Sequence, residues 1–268
     1  MRSQLLLLIL TSTLALSGQC ASDINLFAGE FAFPERFFRV NPDTGQTTLI
    51  GTTTSAFYPG LDFRQNGVLY GSSSMLYTVN TADGTATTIG ALPDLLVSLA
   101  FGPGDSLYGV SNDGDTLYEI DPSTGMSLRS VPLTGTIHNG GTLFPGEING
   151  IDFAPDGTLY GIGFGLYRID LLTGVASRIT APGQDVSGNL FQDLDFGPDN
   201  QLRAATFESA AENFSNLYRI DSATGLGQLV GPMGVDIAGL ASVPEPSTSS
   251  MLIAGAWVVI MVRKWRGR

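Results

Sequence analysis

The sequence predicts an all-β chain built from five repeats, on three observations. The first is a recurring strand-and-turn unit. It reads Leu166-Tyr167-Arg168-Ile169-Asp170 followed by Thr173-Gly174, and it returns as Phe37-Phe38-Arg39-Val40-Asn41, Leu76-Tyr77-Thr78-Val79-Asn80, Leu117-Tyr118-Glu119-Ile120-Asp121 and Leu217-Tyr218-Arg219-Ile220-Asp221. The second is a hairpin ahead of four of these copies, with Leu61-Asp62-Phe63, Leu99-Ala100-Phe101, Ile151-Asp152-Phe153 and Leu194-Asp195-Phe196 as first strands. The third is the spacing of about 40–50 residues, the length of a four-stranded propeller blade. Together they predict a five-bladed β-propeller.

Each unit has a local reason. Tyr167 and Ile169 fall on one strand face, and Leu166, Arg168 and Asp170 on the other. The turn starts at Asp or Asn, whose side chain accepts bonds from turn amides, and ends at Gly, which tolerates positive φ. Pro42 and Pro122 follow the Asx, where φ near −65° suits a type I turn. A fourth strand follows at Gln46–Ile50, Ala86–Ile89 and Val175–Ile179. The tyrosines at 70, 77, 108, 118, 160, 167 and 218 keep the alternating core pattern and are expected to pack between blades rather than stack on sugars.

The chain ends are expected to close the ring. Leu26-Phe27-Ala28 matches a second strand, with no Leu-Asp-Phe strand ahead of it. Ile237-Ala238-Gly239-Leu240-Ala241 matches that missing first strand. Their pairing completes blade one and removes two open sheet edges.

Residues 1–22 read as a signal peptide, with Arg2 ahead of the apolar run Leu5–Leu16. Cys20 follows Gln19 rather than the small residue of a lipidation motif. It is the single cysteine, so no intrachain disulfide forms. Residues 23–243 are the propeller and 244–268 a tail. With the leader and tail set aside, 8 of the 13 basic residues face 24 of the 25 acidic ones. Such a domain repels nucleic acid and anionic lipid. Two long connections, Val131–Asn149 and Thr206–Asn216, are candidate functional loops. The second contains Asn213-Phe214-Ser215, which matches a glycosylation acceptor pattern.

Chemistry-bearing motifs are sparse. His138 is the sole histidine, and no Gly-x-Ser-x-Gly elbow or phosphate-binding glycine motif is present. The aligned first-strand position carries Asp62, Ala100, Asp152, Asp195 and Ala241. First strands line a propeller's axis. Asp62, Asp152 and Asp195 are therefore expected there, as backbone fasteners, a cation site such as calcium, or acids acting on a glycan. No cofactor is implied beyond that calcium alternative.

At the C-terminal side, Val243-Pro244-Glu245-Pro246-Ser247 leads into the apolar run Met251–Val262 and the basic end Arg263-Lys264-Trp265-Arg266-Gly267-Arg268. Ser247–Val262 as a helix covers about 24 Å at 1.5 Å per residue, short of a hydrocarbon core of roughly 30 Å. The basic end is expected to stay cytoplasmic, leaving the propeller outside. These three ordered features resemble the PEP-CTERM sorting signal of Gram-negative bacteria that make exopolysaccharide. The resemblance implies recognition by an exosortase, cleavage near Pro-Glu-Pro, and export to the envelope, cell surface or extracellular matrix. Until processing, the apolar helix holds the chain to the membrane. The repeat domain is similar to bacterial extracellular domains with a LYxIDxxTG pattern, which supports the fold and implies no activity. The expected function is a non-enzymatic matrix or envelope protein that binds or displays a partner, with exopolysaccharide as first candidate. The alternatives are an extracellular glycan hydrolase or lyase using Asp62, Asp152 and Asp195, and a calcium-stabilised structural module.

Overall fold

The Leu-Tyr-x-Ile-Asp unit forms the third strand of each blade, and everything else is arranged around it. A computed structural model describes residues 24–32, 34–53, 58–135, 148–179, 190–206 and 214–244. The predicted leader with Cys20, the loop containing His138, Asn213, and the tail from Glu245 onward lie outside the described residues.

Blade one begins with β1 (Leu26–Glu30), β2 (Glu35–Val40) and β3 (Thr47–Thr53). Blade two is β4 (Gly60–Phe63), β5 (Leu69–Ser72), β6 (Met75–Val79) and β7 (Ala86–Ala91). Blade three is β8 (Leu96–Phe101), β9 (Leu107–Ser111), β10 (Thr116–Ile120) and β11 (Ser127–Pro132). A two-residue strand, β12 (Thr134–Gly135), leads to blade four: β13 (Ile148–Phe153), β14 (Leu159–Gly163), β15 (Leu166–Ile169) and β16 (Val175–Arg178). Blade five is β17 (Phe191–Phe196), β18 (Leu202–Thr206), β19 (Asn216–Ile220) and β20 (Gly227–Pro232). The last strand, β21 (Ile237–Ser242), pairs antiparallel with β1, with Leu26 opposite Ser242 and Ala28 opposite Leu240. The blade one sheet thus has the order β21-β1-β2-β3, and the predicted closure of the ring by the two ends is observed.

The turn after the third strand forms as its chemistry dictates. Asp170 Oδ1 accepts the Leu172 and Thr173 amides at 2.9 and 2.8 Å. Gly174 takes φ +73°, a conformation that a residue bearing Cβ resists. One departure concerns the faces. Alternation suggests a buried and a solvated side, yet Leu166, Tyr167 and Ile169 are all buried. Each inner sheet is packed on both sides by neighbouring blades, so alternation there does not separate core from water. A second departure is β12. The long Val131–Asn149 connection contributes a strand that pairs parallel with β16 and covers the outer edge of blade four.

Five apolar clusters hold the ring, one at each blade interface. Tyr70, Leu76, Leu96 and Leu107 belong to that between blades two and three. Ile162, Leu166, Phe191 and Leu202 belong to that between blades four and five. Fully burying one such aliphatic side chain is worth about 1.5–3 kcal/mol. The strands β4, β8, β13, β17 and β21 contact one another in a closed circle around the axis.

Candidate functional site

The innermost strands present alternate amides to the axis, since only one edge of each is paired within its blade. These are the amides of Phe63, Phe101, Phe153, Phe196 and Ser242, one per blade at the same level. All five are taken up by carboxylates. Asp62 accepts Phe63 N–H at 2.6 Å and Phe101 N–H at 2.5 Å. Asp152 accepts Phe153 N–H at 2.7 Å and Phe196 N–H at 2.6 Å. Asp195 accepts Ser242 N–H at 2.8 Å and the Ser242 hydroxyl at 2.5 Å. The three predicted axial residues are therefore brought together, and each fastens its own blade to the next.

The two blades with alanine in that column are fastened by other side chains. Ser98 Oγ, in blade three, accepts Ile151 N–H of blade four at 3.0 Å. Glu35 Oε2, in blade one, accepts the Tyr58 N–H ahead of blade two at 2.7 Å. Every interface thus carries at least one side chain to backbone tie. Asp193 adds a second tie at the closing interface, accepting Leu240 N–H at 2.9 Å. It also accepts Ser98 Oγ–H at 3.0 Å, reaching past blade four to blade three. Gly150 permits this, because a Cβ there would lie 2.7 Å from Asp193 Cα. Asp193 and Ser98 are buried, so the axis is closed at their level.

Above that closure a cavity of about 410 Å³ opens at the end of the innermost strands. Its lining includes the three carboxyl groups and Pro103, Pro155, Pro198 and Pro244. Burial pushes Asp62 up to about 8 and Asp195 up to about 6. Burial first, then the negative charges of Asp62 and Asp195, hold Asp152 well above the carboxylate range. Burial does the same to Asp193. At the opposite end of blade one, burial pushes Glu35 up to about 9, and its Oε1 has no hydrogen-bond partner among the described residues. Among the described residues no group of three or more His, Cys, Asp or Glu is placed to hold a metal ion.

An aromatic pair accompanies four of the interfaces. Tyr70–Phe101, Tyr108–Phe153, Tyr160–Phe196 and Phe27–Phe63 have ring centroids 5.0, 5.4, 5.2 and 5.7 Å apart. At the closing interface the same columns hold Arg203 and Ser242. Arg203 is 1% exposed and pairs through both terminal nitrogens with Asp199, at 3.0 and 2.7 Å.

Of the sorting motif, Val243 and Pro244 are described, and Glu245, Pro246 and Ser247 are not. Sequence reasoning missed Asp193, Ser98, Glu35 and Arg203. The available signal was a break in a repeat column: Asp193 stands where other blades have Gly60, Gly150 and Gly239, and Arg203 where they have Tyr or Phe.

Fold and site define a five-bladed β-propeller with a blind axial cavity. No protein-family model matches the chain, and no curated protein matches it. Among solved structures, it is similar to one from a study of the de novo evolutionary emergence of a symmetrical protein, at 23% identity and TM-score 0.54, covering 83% of this chain and all of that one. A protein of unknown function from Bacteroides caccae is similar at 14% identity and TM-score 0.52, covering 83% and 99%. A chain of a nidogen/laminin complex is similar at 14% identity and TM-score 0.51, covering 82% and 98%. At these identities the likeness is one of fold.

Proposed function

We propose that this chain is an exported propeller that binds or displays a partner in the cell envelope or extracellular matrix and catalyses no reaction. Exopolysaccharide is the partner put forward. The tail resembling a PEP-CTERM signal is the part an exosortase recognises, and its apolar run Met251–Val262 holds the chain to the membrane until processing. One observation carries the non-enzymatic reading: Asp62, Asp152 and Asp195 each already accept two hydrogen bonds, at least one of which joins neighbouring blades. A carboxylate fixed in this way fastens the ring and has little freedom to move a proton on a substrate. The test is to fractionate host cells with and without polymer synthesis. The protein is expected in the matrix fraction only when polymer is made. Its retention in the periplasm under both conditions contradicts the proposal.

A second reading has one specific support. Asp62 and Asp195, titrating at about 8 and about 6 on a cavity floor, lie in the range useful to an acid or base acting on a glycan. Under that reading, exchanging Asp62, Asp152 or Asp195 for Asn abolishes polymer breakdown. Under the favoured one there is no breakdown to abolish.

A further inference from the structure

The ring and the tail motif share two residues. Val243 N–H donates to Asn25 O at 3.0 Å, extending the β21–β1 pairing by one step. Its side chain packs against the cluster between blades one and two. Pro244 stands two residues beyond Ser242, as Pro103, Pro155 and Pro198 stand two residues beyond Phe101, Phe153 and Phe196. All four prolines line the axial cavity. The first half of Val243-Pro244-Glu245-Pro246-Ser247 is therefore blade sequence as well as motif sequence. Just upstream, Ser242 is gripped by Asp195 through both its amide and its hydroxyl.

From this geometry we propose that the enzyme that removes the tail cuts C-terminal to Pro244, so that Val243 and Pro244 stay in the mature ring. The inference rests on the sorting reading above and fixes where the folded domain lets that reaction occur. An enzyme that cuts a peptide draws the bond and its flanking residues into a cleft in extended form. Presenting the Val243–Pro244 bond, or any earlier one, requires this segment to leave Asn25, the apolar cluster and Asp195 together. The farther the bond lies beyond Pro244, the less of this segment has to leave with it. In the step itself the C–N bond breaks. The acyl carbon passes to water or to an acceptor amine, and the new amino group leaves with the tail carrying Arg263 to Arg268.

The test is the intact mass and C-terminal peptide of the mature protein purified from its host. The expected chain ends at Pro244 or later and lacks the run Met251–Val262. A mature chain ending at Val243 or earlier overturns the inference while leaving sorting intact. A chain retaining residues through Arg268 overturns the sorting reading, and the inference with it. A second measurement does not depend on sorting. A chain ending at Ser242 is expected to melt about 3 °C or more below one ending at Pro244. Equal midpoints overturn the claim that the ring holds these two residues.

Discussion

Asp195 holds Ser242 by two bonds, the backbone amide at 2.8 Å and the side-chain hydroxyl at 2.5 Å, across the one interface where the ends of the domain meet. The other blade interfaces join elements that follow one another along the chain. This one joins blade five to the strand that completes blade one, so its ties decide whether the ring stays shut.

Ser242→Ala removes the hydroxyl and keeps the amide bond, with an expected loss of about 1 kcal/mol. Asp195→Ala leaves both Ser242 groups without their acceptor, with an expected loss of about 2 kcal/mol or more. Urea unfolding of both variants at pH 5 checks the order. An Asp195→Ala chain as stable as the parent contradicts this role for the pair.

The outer strands carry a second kind of fastening, formed by close backbone approach. A Cβ at Gly51 would lie 1.8 Å from Asp83 O of the next blade, and one at Gly90 would lie 2.0 Å from Thr124 O. The Thr-Gly and Asp-Gly turns of one blade thus seat against a glycine of the blade before. Gly51→Ala is expected to cost about 1–3 kcal/mol through this overlap. Gly67 is the comparison, since a Cβ there meets nothing within 4 Å and only its φ of +82° resists substitution. Gly67→Ala is expected to cost about 1 kcal/mol. Thermal unfolding that ranks Gly67→Ala as the more damaging change contradicts the packing role.

Stability should fall as pH rises. Burial lifts Glu35 from its ordinary 4.5 to about 9, Asp62 from 3.8 to about 8 and Asp195 from 3.8 to about 6. Between the ordinary and lifted values the folded chain holds protons that the unfolded chain has released. Each rise in pH across that window therefore favours unfolding. The contribution is intact below about pH 4 and lost by about pH 9. Thermal midpoints measured from pH 5 to 9 are expected to decline, and Glu35→Gln to flatten the part above pH 8. A midpoint that rises over this range contradicts the assignment.

The fold was legible in the sequence wherever a residue acts within its own hairpin. Tyr167 with Ile169, Asp170 with Gly174, and the match between Leu26-Phe27-Ala28 and the second strands needed only strand pairing and turn chemistry. Relations between blades were not legible, because they join positions about 40 residues apart that no local pattern connects. The column Asp62, Asp152, Asp195 placed three acids on the axis, yet not the Phe101, Phe196 and Ser242 groups they hold. Glu35 and Ser98 replace the missing fasteners at the two alanine interfaces from columns the acids do not occupy, and that compensation exists only in three dimensions. The glycines at 51 and 90 fall just past the predicted strands ending at Ile50 and Ile89, and their role shows only when the neighbouring turn is seen against them.

The central claim, a propeller that binds matrix polymer without altering it, is tested most directly with residues 24–244 and the host's own exopolysaccharide. These residues contain all five blade interfaces and the closing strand. The mixture is followed by size-exclusion chromatography with light scattering. Co-elution of the protein with polymer of unchanged mass is the predicted result. A polymer mass that falls with time, or a protein that elutes alone, contradicts it.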